Sequence, residues 1–110
     1  GDEVLIGGLV ITGDEPLTVV LRAIGPSLAA HGVEGVLKNP HLTLYSGLTA
    51  IDANGDWGDH PHADSLPAQF VPLDPAEAAI LVTLQPGAYT AIVSGEGGST
   101  GIALLEVYER

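Results

Sequence analysis

The chain has 110 residues, of which 14 are Asp or Glu and only three are Lys or Arg, so its formal net charge at pH 7 is −11. This balance excludes an ordinary nucleic-acid binder and disfavours anionic membranes, because both surfaces are recognised through clustered cations. Cysteine and methionine are absent from the sequence, which excludes disulfides, thiolate metal ligands and cysteine nucleophiles.

The length predicts a single domain over residues 1–110 that can enclose a hydrophobic core. Apolar residues make up 45% of the chain and aromatic residues only 5%, so Val, Leu, Ile and Ala must build that core. Fifteen glycines and eight prolines favour many short strands over long helices. No signal peptide is visible, and no apolar run approaches the ~20 residues of a membrane-spanning helix.

The first third of the chain predicts two strands and one short helical segment. Residues 4–11, "VLIGGLVI", are apolar on both alternating faces, and a "GDEP" turn leads into a second strand over Leu17–Ile24. Pro26 suits the first turn of a helix and Gly32 suits its end. One or two helical turns are therefore expected over Pro26–His31.

The middle of the chain predicts a hairpin, a polar loop and a capped turn. "HLTLYS" and "TAI" form two paired strands around Gly47. The polar loop "IDANGDWGDHPHADS" follows over residues 51–65, and the chain then shows little periodicity as far as Pro72. In "DPAEAA", Asp74 is expected to cap a helical turn that has Pro75 in its first position.

The last third predicts a three-strand meander of "AILVTL", "AYTAIVSG" and "GIALLEVYE". The glycine loop "SGEGGSTG" between the last two is interpreted as hairpin turn chemistry, because it lacks the Lys-Ser/Thr pair and the following helix of a phosphate loop. About seven strands without βαβ alternation predict an all-β fold. We expect an antiparallel β-sandwich with jelly-roll or Greek-key wiring and one or two short helical turns.

The aspartate-rich loop carries a candidate calcium site. Its oxygen-bearing side chains recur at nearly alternating positions, with glycines that allow a tight wrap: Asp52, Asn54, Asp56 and Asp59. Ca²⁺ takes about 6–8 oxygen ligands, and this spacing lets one loop supply several of them. The EF-hand pattern is incomplete, because no glutamate follows at the closing position.

Two other interpretations of this loop stay open. His60 and His62 suit a transition metal, although a His-x-His pair beside carboxylates is common in loops by chance. Alternatively, the aspartates and the asparagine only form local hydrogen bonds that shape the loop, while the ring of Trp57 packs as a plug.

No catalytic constellation stands out, and the chain is predicted not to be an enzyme. None of the five serines lies in a nucleophile elbow, and no carboxylate pair can be singled out among the 14 acids. The scarcity of aromatic side chains leaves little stacking surface for a glycan. Arg22, inside an apolar strand, is expected to pair with a carboxylate such as Glu106 in a structural role.

Both faces of "VLIGGLVI" and of "GIALL" are apolar, whereas an isolated two-layer sandwich leaves one face of each sheet in water. This excess indicates contact with another layer, a covering loop or another subunit, unless small residues in central strands tolerate exposure. We expect a structural protein that assembles with itself into a filament, tube or surface layer. Cations at the aspartate loop would relieve the repulsion between copies.

Three motifs span nearly the whole chain in order: "IGGLVITGDEPLTVVLRAIGPSLAAHGV", "DANGDWGD" and "ILVTLQPGAYTAIVSGEGGSTGIALLEVYE". They resemble a module of large secreted and cell-surface proteins of environmental bacteria, and "RAIGPSL" is the most specific piece. The resemblance implies an extracellular or cell-surface, all-β, non-catalytic module without an agreed ligand, usually one unit of a larger protein. The alternative function is a calcium-stabilised, monomeric binding module that attaches a secreted enzyme or adhesin to a glycan or cell surface.

Overall fold

A computed structural model describes residues 4–110 and confirms the predicted all-β sandwich, with seven strands in two antiparallel sheets. The strands are β1 (Leu5–Ile11), β2 (Leu17–Ile24), β3 (Pro40–Ser46), β4 (Thr49–Asn54), β5 (Ala78–Leu84), β6 (Gly87–Gly95) and β7 (Leu104–Glu109). The helical segments are short 3-10 turns at Pro26–His31, Trp57–Asp59, Ala63–Ser65, Ala68–Phe70 and Glu96–Gly98.

The four-stranded sheet has the order β1-β6-β3-β4, and the three-stranded sheet has the order β5-β2-β7. The predicted hairpin of β3 and β4 is confirmed, but the predicted meander of β5, β6 and β7 is wrong, because β6 lies in the opposite sheet from β5 and β7. Each of these strands has an apolar face to bury. In the structure β6 packs its face across the core from β5 and β7, and the pattern along each strand does not distinguish this arrangement from a meander.

The glycine loop after β6 is therefore a connection between sheets and not the predicted hairpin. Its glycines do provide the expected turn chemistry, since Gly97 and Gly98 have φ values of 63° and 79°. Gly101 has φ 155°, and a Cβ there would lie 2.6 Å from the backbone nitrogen of Leu37. The loop thus turns sharply and passes close to another part of the backbone.

The core lies between the two sheets and is built from the alternating inward positions of the strands. The inward residues of β2, β3, β5 and β6 supply most of it. The buried cluster comprises Ile11, Val19, Leu21, Ala23, Leu37, Leu42, Leu44, Ala78, Ile80, Leu84, Ala91 and Val93. Aliphatic side chains and alanine form this cluster, as the composition required.

The outer face of the three-stranded sheet is covered by the chain between β4 and β5. This covering segment, residues 55–77, contacts β5 through His62, whose Nδ1 lies 2.9 Å from the Leu81 carbonyl oxygen. At the other edge its Phe70 ring lies 5.0 Å from the ring of Tyr108 in β7. Because the segment crosses the sheet, the outward-facing Val20 of β2 is fully buried. The covering loop therefore buries the outer face of this sheet at β2 and β5, whereas Leu104 of the "GIALL" stretch stays 45% exposed.

The predicted ion pair between Arg22 and Glu106 is confirmed, and the two residues are directly opposed in β2 and β7. The Arg22 Nε donates to Glu106 Oε1 at 2.9 Å, and the Tyr108 hydroxyl donates to Glu106 Oε2 at 2.9 Å. The hydrogen bond to Glu106 raises the pKa of Tyr108, and burial raises it further. Arg22 also donates to the Phe70 carbonyl at 3.4 Å, so this pair helps to anchor the covering segment.

A buried glutamate connects three separate parts of the chain. Glu77 is fully buried, and its Oε2 accepts the backbone N–H groups of Gly25 and Ser27 at 2.9 Å and the Ser27 hydroxyl at 2.6 Å. Its Oε1 accepts the backbone N–H of Asp74 at 3.2 Å, and its own carbonyl accepts the Trp57 N–H at 2.9 Å. A buried carboxylate is tolerated here because donors surround it.

The sequence predicted helical turns in both of the loops that donate hydrogen bonds to Glu77, and the structure contains them in only one. The helical turns over Pro26–His31 are confirmed, and Gly32 ends them with φ 84°. The "DPAEAA" stretch forms a turn and not a helical start: Asp74 Oδ1 accepts the Ala76 N–H at 2.9 Å. The chain enters β5 directly afterwards, so a helix has no room to continue.

We expect Glu77→Ala to lower the free energy of unfolding by at least about 3 kcal/mol, because four donors lose a charged acceptor inside the protein. Glu77→Gln should cost less, since its amide keeps one acceptor oxygen while its NH₂ faces a backbone N–H. Glu109→Gln, at an exposed position of β7, is the matched control. Urea unfolding of the three variants measures the order. Equal stability of Glu77→Ala and the control would contradict the role given to this carboxylate.

Candidate functional site

The aspartate-rich loop uses two of its four predicted calcium ligands in internal hydrogen bonds. Asp52 Oδ1 accepts the Ala53 N–H at 2.8 Å and lies 3.0 Å from His60 Nε2. The buried Asn54 side chain donates to the Asp56 carbonyl at 2.8 Å and accepts the Ala79 N–H at 3.0 Å. These contacts match the interpretation in which Asp and Asn shape the loop.

The other two predicted ligands, Asp56 and Asp59, lie exposed at the start and end of the Trp57–Asp59 turn. Within residues 4–110, no three His, Asp or Glu side chains are grouped so that they could hold a metal ion. Calcium binding by Asp52, Asn54, Asp56 and Asp59 stays a prediction, and so does the alternative with a transition metal.

The two histidines of the loop make contacts that show which ring nitrogen carries the donated proton. His60 Nδ1 accepts the His62 backbone N–H at 3.1 Å, so the ring proton lies on Nε2 and is donated to Asp52. His62 Nδ1 donates to the Leu81 carbonyl. The sequence marked both residues only as possible metal ligands, and their spacing gave no sign of these partners.

The contacts of Asn54 and His62 have a common effect on strand β5. The Ala79 N–H and the Leu81 carbonyl belong to the backbone edge of β5 that faces away from β2, and the side chains of Asn54 and His62 satisfy them. Unpaired groups on an edge strand attract other strands. This loop therefore closes the edge of β5 against pairing.

One surface depression combines apolar and charged side chains, but its polar groups already have partners. Arg22 and Glu106 line it and bind each other, and the Ser27 hydroxyl, also in its wall, donates to Glu77. The remaining polar side chain of the wall is the exposed His31. The carboxylate that binds the Ser27 hydroxyl also accepts three backbone N–H groups, so this contact is part of the structural network of Glu77.

The outer face of the four-stranded sheet carries no Asp, Glu, Lys or Arg among the residues that the structure describes. We call it the uncharged face. Its central row of directly opposed residues runs across all four strands, and a second row lies beside it. The first row is Ile6, Ile92, Thr43 and Ala53, and the second is Gly8, Thr90, Tyr45 and Ala50.

The uncharged face is open to solvent and is most apolar at β1. Ile6 and Val10 point outward from β1 and are 61% and 68% exposed. Leu48 stands fully exposed at the tip of the hairpin between β3 and β4. At one end the face is bounded by His41, whose Nδ1 lies 2.8 Å from Glu96 Oε1. The covering segment protects the other sheet, and within residues 4–110 nothing comparable lies over this one.

The four edge strands differ in how they are protected. Strand β5 is closed by Asn54 and His62, and β7 carries Glu106 and Glu109. Strand β4 carries Asp52, and its pairing with β3 is irregular at Tyr45. Strand β1, "LIGGLVI", contains no charge and no proline. It is the edge that lacks the usual devices against strand addition.

No protein-family model matches the chain, and comparisons with curated proteins and with solved structures give no match. Within residues 4–110, no helix has the length and apolar character to cross a membrane.

If the loop binds Ca²⁺, millimolar CaCl₂ added after EGTA treatment will raise the melting temperature of the protein. Asp56→Asn combined with Asp59→Asn should abolish the rise in melting temperature, because two of the proposed calcium ligands are lost. Both carboxylates are exposed and take part in none of the hydrogen bonds given above, so the substitutions should leave the fold unchanged. Asp64→Asn, another exposed acid of the same loop, is the control. Differential scanning calorimetry at constant ionic strength separates binding from screening. Identical melting temperatures with and without calcium would remove the calcium hypothesis.

Proposed function

We propose that this chain is a non-catalytic structural protein that assembles with copies of itself into an extracellular filament, tube or surface layer. The observation that carries this proposal is the uncharged face, with exposed Ile6 and Val10 at its β1 edge. The extracellular setting comes from the resemblance of motifs such as "RAIGPSL" to secreted modules.

The distribution of charge supports contact between copies at this face. Each copy carries a net charge of −11, so most approaches between two copies bring acidic surfaces together. Burying an unpaired carboxylate costs several kcal/mol. The uncharged face avoids this cost, because its two rows contain only isoleucine, threonine, alanine, glycine and one tyrosine.

The size of the face sets how much it can contribute. Four strands spaced about 4.8 Å apart and about six residues long form a surface of roughly 20 by 20 Å, on the order of 400 Å². Stable interfaces bury about 800 Å² on each partner. Stacking of this face alone would give a weak contact, so an assembly needs a second contact. An assembly that extends also requires two different contacts on each copy.

Self-association should increase with protein concentration and with ionic strength, because salt screens the repulsion between copies. Sedimentation velocity from about 1 μM to 1 mM protein, in low and in 0.5 M NaCl, measures how self-association depends on concentration and on salt. Electron microscopy shows any polymer. EGTA tests whether bound cations contribute, since chelation should then weaken assembly. A protein that stays monomeric under all these conditions contradicts the proposal. A monomer retained on insoluble polysaccharide would instead favour the binding module.

The variant Ala53→Lys/Ala88→Lys places two charges on exposed positions of the uncharged face and should reduce self-association at least tenfold. Ala29→Lys/Ala68→Lys places the same charges on exposed positions elsewhere. Both variants lower the net negative charge equally, so the weaker repulsion between copies would by itself strengthen association in both. Loss of association in the first variant only therefore identifies the face. Equal behaviour of the two variants would exclude it as a contact.

A further inference from the structure

We infer that β1 pairs with β1 of a second copy, antiparallel and around a two-fold axis at Gly8, so that two four-stranded sheets become one sheet of eight strands. This inference rests on the proposed self-assembly and names one of its contacts. It commits to a second copy as the occupant because the free edge of β1 carries no charge on a chain of net charge −11.

The alternation of side chains fixes the possible registers. Directly opposed residues project to the same side of a sheet. Registers that oppose an even-numbered residue to an odd-numbered one would join the uncharged face of one copy to the core side of the other, which is excluded. Among the remaining registers, opposing Gly8 to its own copy pairs all seven residues of β1, and every other register pairs fewer.

This register gives complementary side-chain contacts on both sides of the sheet. On the outer side, Ile6 of each copy faces Val10 of the other, so four of the most exposed apolar side chains cover one another. On the inner side, Gly7 of each copy faces Leu9 of the other. Leu5 of each copy faces Ile11 of the other on the same inner side, so every opposed pair of this register except Gly8 with its own copy contains at least one large aliphatic side chain.

The two glycines of β1 have different surroundings. Packing within one copy restricts the residue at Gly7 but not at Gly8. A Cβ on Gly7 would lie 2.7 Å from Leu105 Cδ2, so the Leu105 side chain would have to shift to admit any other residue there. A Cβ on Gly8 would have only the Tyr89 carbonyl oxygen at 3.9 Å, an ordinary contact, and Gly8 has no positive φ. On a two-fold axis a residue lies directly opposite its own copy, and glycine there leaves the outer row between Ile6 and Val10 without a side chain at its centre.

Two core-facing side chains, one in β1 and one in β7, also remain incompletely buried in one copy. Leu5 and Val107 are opposed to the buried residues Val93 and Leu21 and so lie on the inner faces of the two sheets. They are nevertheless 39% and 43% exposed, because β1 and β7 are edge strands on the open side of the sandwich. A second copy placed against β1 would cover this side.

The pairing also has a predicted dependence on salt. Each copy carries a net charge of −11, so pairing brings two acidic molecules together and is opposed by their repulsion. At an ionic strength of 0.1 M the screening length is about 10 Å. The pair should therefore form more readily in 0.5 M than in 0.05 M NaCl.

Single-cysteine variants test the register, because the chain contains no cysteine. Opposed Cα atoms in antiparallel strands lie about 4.5–5.5 Å apart, within the range of about 4.4–6.8 Å for a disulfide. Gly8→Cys should therefore form a covalent dimer under mild oxidation. Ile6→Cys alone and Val10→Cys alone should not, because like residues would lie about 13 Å apart along the strands. An equal mixture of these two variants should yield the mixed dimer.

Non-reducing electrophoresis and mass spectrometry identify the products, and a thermal melt of each reduced variant verifies its fold. The exposed Ile6→Cys and Val10→Cys pair keeps the test valid if Gly8→Cys does not fold. Equal cross-linking of all variants, or of none, overturns the pairing at Gly8. If the wild type associates and Ala53→Lys/Ala88→Lys reduces that association while no cysteine pair is selective, self-assembly stands and the β1 contact fails. A wild type that never associates overturns both.

Discussion

The buried carboxylate of Glu77 is the interaction on which the rest of this structure depends. Its oxygens hold the chain where it leaves β2, through Gly25 and Ser27, and the turn before β5, through Asp74. Its own carbonyl holds the start of the covering segment at Trp57. One residue thus fixes both ends of the layer that hides the outer face of the three-stranded sheet. The arrangement is favourable only because every oxygen of the buried charge receives a hydrogen bond.

The consequence is a sandwich with two unlike sides. The covered side carries the aspartate-rich loop, where acids stay in water and Asn54 and His62 close the edge of β5. The opposite side is uncharged and open, and its edge strand β1 has no device against pairing. Because the acidic residues lie elsewhere, this is the side on which we propose that two copies meet.

Much of the fold could be predicted from local pattern. The alternation in β2 and β6, the turn residues around Gly47 and the helical turns after Pro26 each depend on neighbours in the sequence. The pair of Arg22 and Glu106 was predictable because a cation in an apolar strand needs a partner. The assignment of β5, β6 and β7 to sheets was not, because one apolar face can pack against several others and strand pattern does not choose among them.

Sequence alone determined that this is an acidic, all-β chain with more apolar strand surface than two layers can hide. The tertiary structure decided which part of that apolar strand surface is buried. Glu77 appeared in the sequence as one acid among 14, and its role arises only when distant backbone N–H groups converge on it. The partners of Asp52 and His60 likewise follow from how the loop folds back. Hydrophobic periodicity is local and can be read along the chain, whereas burial of a charge depends on donors that only folding brings together.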